Sequence, residues 1–191
     1  MTARRTCAAA LFLALSLGAC ASHHTTAPDT ARANAVLRQA LQAHAEGDLA
    51  HAQQLYLETL RLDPSNKYAY YDLGVIAQSQ GDDKVAVSSY RGALAIDPRF
   101  VPALFNLAIV ETAADQTKDA KDLYKRVLEI DPQDAAAHLN FGFLLRAEGR
   151  ERAASREFDD AVRLDPSLAD RISSGADAQP ATTGPSGATG G

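Results

Sequence analysis

The sequence predicts an all-α fold, an array of four helical hairpins stacked as a solenoid, with disordered segments at both ends. Three observations carry this. Asp-Pro recurs every 34 residues, as Asp63-Pro64, Asp97-Pro98, Asp131-Pro132 and Asp165-Pro166, each time after Leu or Ile. Short side chains recur on the same period, and so does an aromatic residue four positions after the second of them. Between consecutive Asp-Pro pairs lie two apolar-periodic stretches with one polar break. A period of this length marks a helix–turn–helix solenoid, in which each unit buries its apolar face only by stacking on its neighbours.

The chain opens with a segment that reads as a leader rather than as fold. Arg4 and Arg5 form a basic start, and Ala8 to Leu17 is apolar except for Ser16, too short for a stable membrane span. It ends in Leu17-Gly18-Ala19-Cys20, which resembles the lipobox of bacterial lipoproteins. That resemblance implies a signal peptide over 1–19, cleavage before Cys20, and acylation of both its thiol and the freed amine. Two or three acyl chains anchor stably where one does not. Cys7 leaves with the leader, so the mature chain is expected to have no free thiol and no disulfide, which suits an oxidising envelope. Residues 20–32 are expected to be a flexible tether; Ala21 to Asp29 is polar, contains Pro28 and reaches about 30 Å at full extension.

The four units are 33–66, 67–100, 101–134 and 135–168. Their internal breaks are Gly47-Asp48, Gly81-Asp82, Asp115-Gln116 and Gly149-Arg150, residues suited to leaving helical geometry or capping the next helix. The closing Pro stops each second helix, because the residue before it is pushed out of α geometry. The eighth position of each unit is small (Ala40, Gly74, Ala108, Gly142), as is the twentieth (Ala52, Ala86, Ala120, Ala154). Helices approach closely only where side chains are short, so these pairs are expected at the crossing. The aromatic at the twenty-fourth position (Tyr56, Tyr90, Tyr124, Phe158) is expected to fill the wider gap beyond it. After the last unit, 167–174 is expected to add one or two helical turns. Residues 175–191, rich in Gly, Ala, Thr, Ser and Pro, are expected to be a disordered tail. The outer face of the last unit is expected to be protected by its own polarity, through Arg156, Glu157, Asp159, Asp160 and Arg163.

This pattern resembles the tetratricopeptide repeat over residues 33–168. The second unit carries the signature through Leu73, Gly74, Ala86, Tyr90, Ala93 and Pro98, and the fourth through Phe141, Gly142, Ala154, Phe158, Ala161 and Pro166. The first and third depart from it: Ala40 and Ala108 stand for Gly, and Thr59 and Val127 for the later Ala. The bulky residue near each unit's start is Val36, Tyr70, Leu104 or His138, never Trp. The resemblance implies a right-handed superhelical solenoid whose first helices line a concave groove, with their second, fifth, ninth and twelfth positions facing into it. The fifth positions are Leu37, Tyr71, Phe105 and Leu139, and the ninth are Leu41, Val75, Ile109 and Phe143. One helical turn separates the two rows, so they share a face. With Tyr68 they are expected to form an apolar, partner-binding stripe, Tyr71 and Phe105 being its candidate anchors. Core packing is the competing reading, as is coverage by the tail or by a second copy in a homodimer. The two-carboxylate clamp of chaperone-binding relatives needs several Lys and Arg here, and only Arg38 and Arg146 are near.

Composition narrows the function. The formal charge is −5, and loss of Arg4 and Arg5 with the leader takes it to −7. That disfavours nucleic acid and electrostatic docking on anionic lipid. His23-His24 reads as a solvated pair, His44 and His51 lack partners for a metal site, and His138 takes a packing position. Asp82-Asp83 and Asp159-Asp160 read as capping or solvated pairs. No catalytic residue, cofactor or metal is therefore expected. The expected function is a lipid-anchored adaptor of the bacterial cell envelope that binds an apolar helix or extended segment of an envelope protein. The runner-up is a non-catalytic accessory subunit holding an envelope enzyme at the membrane.

Overall fold

The computed structural model describes residues 29–174, so Cys20, the leader, most of the tether and the tail lie outside the described residues. The described chain is four helical hairpins: α1 (Thr30–Ala45) with α2 (Leu49–Leu62), α3 (Lys67–Ser79) with α4 (Asp83–Ile96), α5 (Val101–Ala113) with α6 (Thr117–Ile130), and α7 (Ala135–Ala147) with α8 (Glu151–Leu164). A 3-10 turn over Pro166–Leu168 leads into the short α9 (Ala169–Ser173). No strand occurs among the described residues. Helix α1 starts three residues before the first unit was expected to begin, so residues 30–32 are helical rather than tether.

Local chemistry sets the boundaries. Asp29, Asp48, Asn66, Asp82 and Asp134 each cap a helix, their side chains accepting the N–H three residues on. Where the cap is Phe100, Pro102 in the first turn of α5 suits a position whose N–H has no helical partner. At the tight turns inside the hairpins, Gly47, Gly81 and Gly149 adopt φ of +83°, +75° and +73°, while Asp115 does the same work at φ +57° with a side chain to accommodate.

The Asp of each Asp-Pro pair has a role that its proline neighbour hides in the sequence. Asp63, Asp97, Asp131 and Asp165 end their helices in extended or near-extended geometry, with φ between −129° and −137°. Each then accepts, through Oδ1, the N–H two residues further on, at 3.0 Å in all four turns. Each also donates its own N–H to the carbonyl four residues back. Each turn is thus closed by its own residues, and the one at Asp97 is held besides by Lys67 and, through the Pro98 carbonyl, by Arg126.

Packing within hairpins differs in one respect from expectation. A Cβ at Gly74 would lie 2.6 Å from Cε1 of Tyr90, and one at Gly142 would lie 2.5 Å from Cε1 of Phe158. At Gly74 and Gly142 the ring of the twenty-fourth position takes the space of a Cβ, so in these two units the aromatic belongs to the crossing itself. Gly92 likewise makes room for Tyr70.

The core is in two parts. A smaller cluster joins Ala40, Ala43, Ala52 and Tyr56 of the first hairpin to Ala69, Leu73 and Ile76 of α3. The larger runs from Tyr71 to Ala161, with Leu168 and Ile172 packed against it. The last unit is therefore covered partly by α9 and not by polarity alone, and its Glu157 is drawn inward to His138, 2.8 Å from Nδ1.

Candidate interaction groove

The expected stripe divides into an open half and a closed half. On α1 and α3, Leu41 is 37% exposed and Tyr68 43% exposed, while Leu37 and Val75 are half-buried. Tyr68 stands edge-on to Phe100, 5.6 Å between ring centres, and the Lys67 ammonium lies over both rings while pairing with Asp97 at 2.6 Å. On α5 and α7 the picture reverses. Phe105 and Leu139 have no exposed surface, and Ile109 and Phe143 are buried. Tyr71, although on α3, is also buried, against Tyr90 and Phe100.

Tyr71 and Phe105 are accordingly core residues here and cannot be exposed anchors, and the same holds for Ile109, Leu139 and Phe143. The reason lies in their surroundings. Every residue from Ala103 to Glu111 is buried, so α5 is enclosed on all sides. At the far end, α9 closes over the last hairpin: Arg146 donates to the Ile172 carbonyl at 3.5 Å, and its guanidinium lies 4.8 Å from the Phe143 ring and 5.3 Å from that of Phe158. Among the described residues no hairpin precedes α1, and Leu41 is open.

A second set of residues, unnoticed in the sequence, shares the 34-residue period. The twelfth position of each unit meets the aromatic of the twenty-fourth, which meets the sixth position of the next unit. In the second unit the Tyr90 hydroxyl donates to Gln78 Oε1 at 2.6 Å and accepts from Asn106 Nδ2 at 3.4 Å. In the third, Thr112, Tyr124 and Asn140 hold the same three positions, with no hydrogen bond from the Asn140 side chain, and burial pushes the Tyr124 hydroxyl up to about 12. In the first, the Tyr56 hydroxyl lies 3.2 Å from His44 Nδ1 and faces the Asp72 carboxyl. In the fourth, Phe158 lacks a hydroxyl and Arg146 covers its ring instead. The Tyr90 rung crosses by hydrogen bond from the second hairpin to the third and so helps to fix their relative placement.

Burial pushes the Asp72 carboxyl up to about 7, opposed only in part by the Tyr56 hydrogen bond, and burial also lowers His44 below its ordinary value. Burial raises Tyr56 and Tyr90 well above the ordinary phenol range. Among the described residues no group of three or more His, Cys, Asp or Glu is placed to hold a metal ion. No described helix is long and apolar enough to cross a membrane.

Comparison with known proteins agrees with this geometry. Residues 36–120 match the family model of the cilia and flagella-associated protein 70 middle TPR-like domain, and residues 111–172 match that of the tetratricopeptide repeat. The chain therefore carries TPR-like domains, as the resemblance of its repeats implied. No curated protein matches the chain in sequence. Among solved structures, MamA is similar with a TM-score of 0.67 at 20% identity, covering 74% of this chain and 83% of that one. YrrB, a TPR protein with an unusual peptide-binding site, is similar with a TM-score of 0.65 at 20% identity and 76% of each chain. The first TPR of Spaghetti (RPAP3), bound to the HSP90 peptide SRMEEVD, gives 0.61 at 20% identity over 64% of this chain and 97% of that one. At such identities the likeness is one of fold.

Proposed function

We propose that this protein is a non-catalytic, protein-binding adaptor of the bacterial cell envelope, lipid-anchored through Cys20, which takes an apolar helix or extended segment of an envelope protein on its first-helix face. The observation that carries the reading is that Leu41 and Tyr68, on the first helices α1 and α3, are exposed, while Leu37 and Val75 on the same two helices are half-buried. Exposed apolar surface on the first-helix face is what an apolar helix or extended segment would cover. The peptide-binding property of YrrB and the bound peptide of Spaghetti support a polypeptide ligand for the same fold. The working surface is narrower than the full stripe, since the third and fourth hairpins contribute buried residues. The anchor would place the array on the outer membrane facing the periplasm in a two-membrane cell, or on the outer face of the plasma membrane in a one-membrane cell. Assembly of a pilus, a secretion channel, outer-membrane proteins or the peptidoglycan machinery are the settings such an adaptor suits.

The test is site-specific photo-crosslinking in the source cells, with the probe at residue 41, 68 or, on the outward surface of the last hairpin, 156. Positions 41 and 68 should capture one common envelope protein and 156 should not. Capture of that protein only from 156 would move the binding surface elsewhere and end this reading.

A further inference from the structure

The charged side chains on the four first helices are nearly all engaged within the molecule. Arg32 pairs with Glu58 at 3.8 Å, Lys67 with Asp97 at 2.6 Å, and Glu111 with Arg91 at 2.9 Å. His138 meets Glu157 at 2.8 Å, and Arg146 reaches the Ile172 carbonyl and lies over two rings. His44 lies against the Tyr56 hydroxyl, and Asp72 is buried. Arg38 is the exception. It is exposed, and among the described residues no hydrogen bond, ion pair or ring contact holds it.

Its place in the repeat sharpens the contrast. Arg38 is the sixth residue of the first unit. In the later units that position is Asp72, Asn106 or Asn140, and all three are buried. On α1, Arg38 stands three residues before Leu41 and Leu37 four before it, so both are surface neighbours of the exposed leucine.

We propose that Arg38 sets the specificity of the first-helix face, and that the segment bound there carries an Asp or Glu side chain among its apolar residues, paired with the Arg38 guanidinium.

This rests on the proposed binding of a polypeptide segment to that face. A segment that covers Leu41 also takes water from its neighbour Arg38. A cation covered without a partner is costly, so a purely apolar segment loses on the guanidinium part of what it gains on the leucine. A carboxylate removes that loss, and the planar fork of an arginine matches its two oxygens. The chain as a whole is acidic, with a formal charge of −5, so its overall field does not draw in an acidic segment. The selection is therefore made in contact, at this one side chain. A chain-terminal carboxylate is held by a set of converging donors, whereas Arg38 is the one uncommitted cation of the first helices, which suits a single side-chain carboxylate.

The experiment measures binding of a synthetic library of short apolar peptides to the full chain in detergent. The peptides are acetylated and amidated, so neither end is charged, and one internal position is varied. Peptides with Asp or Glu there should bind about fivefold more tightly than those with Asn or Gln, and the preference should weaken in high salt. Arg38→Gln should erase the preference while leaving the apolar peptides bound. Arg38→Glu should reverse it toward Lys and Arg. Because Arg38 is exposed, neither change disturbs the core. The proposal is overturned if apolar peptides bind with no acidic preference, if the preference is the same in wild type and Arg38→Gln, or if acid is favoured only as a free C-terminal carboxylate in a parallel unamidated set. In each of those cases the adaptor reading stands. If no peptide binds, or if Leu41→Glu leaves binding unchanged, the first-helix face is not the binding surface and both fall.

Discussion

Gly74→Ala is a one-carbon test of how the hairpins are packed. In an open helix interior this change stabilises by about 1 kcal/mol, through helix propensity alone. Here the new Cβ would lie 2.6 Å from Cε1 and 2.7 Å from Cδ1 of Tyr90, well inside van der Waals contact. The ring must move, and it is poorly placed to do so. Tyr90 has no exposed surface, and its hydroxyl is held by Gln78 and Asn106. Overpacking of this kind costs about 1–3 kcal/mol, with roughly 1 more if a hydrogen bond is lost. The net expectation is a loss of about 1–2 kcal/mol once the propensity gain is deducted. Urea unfolding followed by circular dichroism measures it, with exchange protection of α3 and α4 reporting whether the loss is local. In a Tyr90→Leu background the same change should be neutral or stabilising, since the smaller side chain can turn away. If Gly74→Ala stabilises the protein with Tyr90 intact, the account of the crossing is wrong.

Asp115→Gly should stabilise by about 0.5–1 kcal/mol, because φ +57° strains any side chain while glycine adopts it freely; an unchanged urea midpoint would count against this. Ile172→Asp should cost about 1 kcal/mol or more and expose the last hairpin first, seen as faster exchange in α8, since Ile172 packs against the main core. Cys20→Ala should move the protein from the membrane to the soluble fraction or leave it uncleaved, and an unmodified Cys20 in native membranes by mass spectrometry would refute lipid anchoring.

The periodic features were legible because they are local. Asp-Pro spacing, the glycine turns and the small residue against an aromatic all follow from neighbours one helix away, and the four hairpins appear where the spacing put them. The groove was less legible. Leu41 and Ile109 hold the same position in their repeats, yet one is open and the other closed. The difference is how fully each helix is enclosed, which no residue of the repeat itself encodes: α5 is buried from Ala103 to Glu111, whereas Val75, at the same position on α3 and also behind a hairpin, stays half-buried. The Tyr56–Asp72 contact was invisible for a related reason. Asp72 reads as one more polar residue on an amphipathic helix until the previous hairpin is laid against it. The one available signal was the 34-residue series Asp72, Asn106, Asn140, which marks a polar position held through three units.

The self-closed turns between hairpins bear on how such a chain can change over time. Asp63 satisfies the N–H of Ser65 and takes its hydroxyl as well, and Asp165 treats Ser167 identically. A turn whose core bonds lie within two residues of its Asp largely travels with its hairpin when a stretch of gene is copied or lost. Duplicating the third hairpin would join an Asn-bearing rung to another of its kind, and the array would lengthen without new chemistry at the seam. Removing the second would not be so neutral: Tyr56 would meet Asn106 in place of Asp72. The array could thus gain or lose its one acid-bearing rung in a single recombination event, with no point mutation needed.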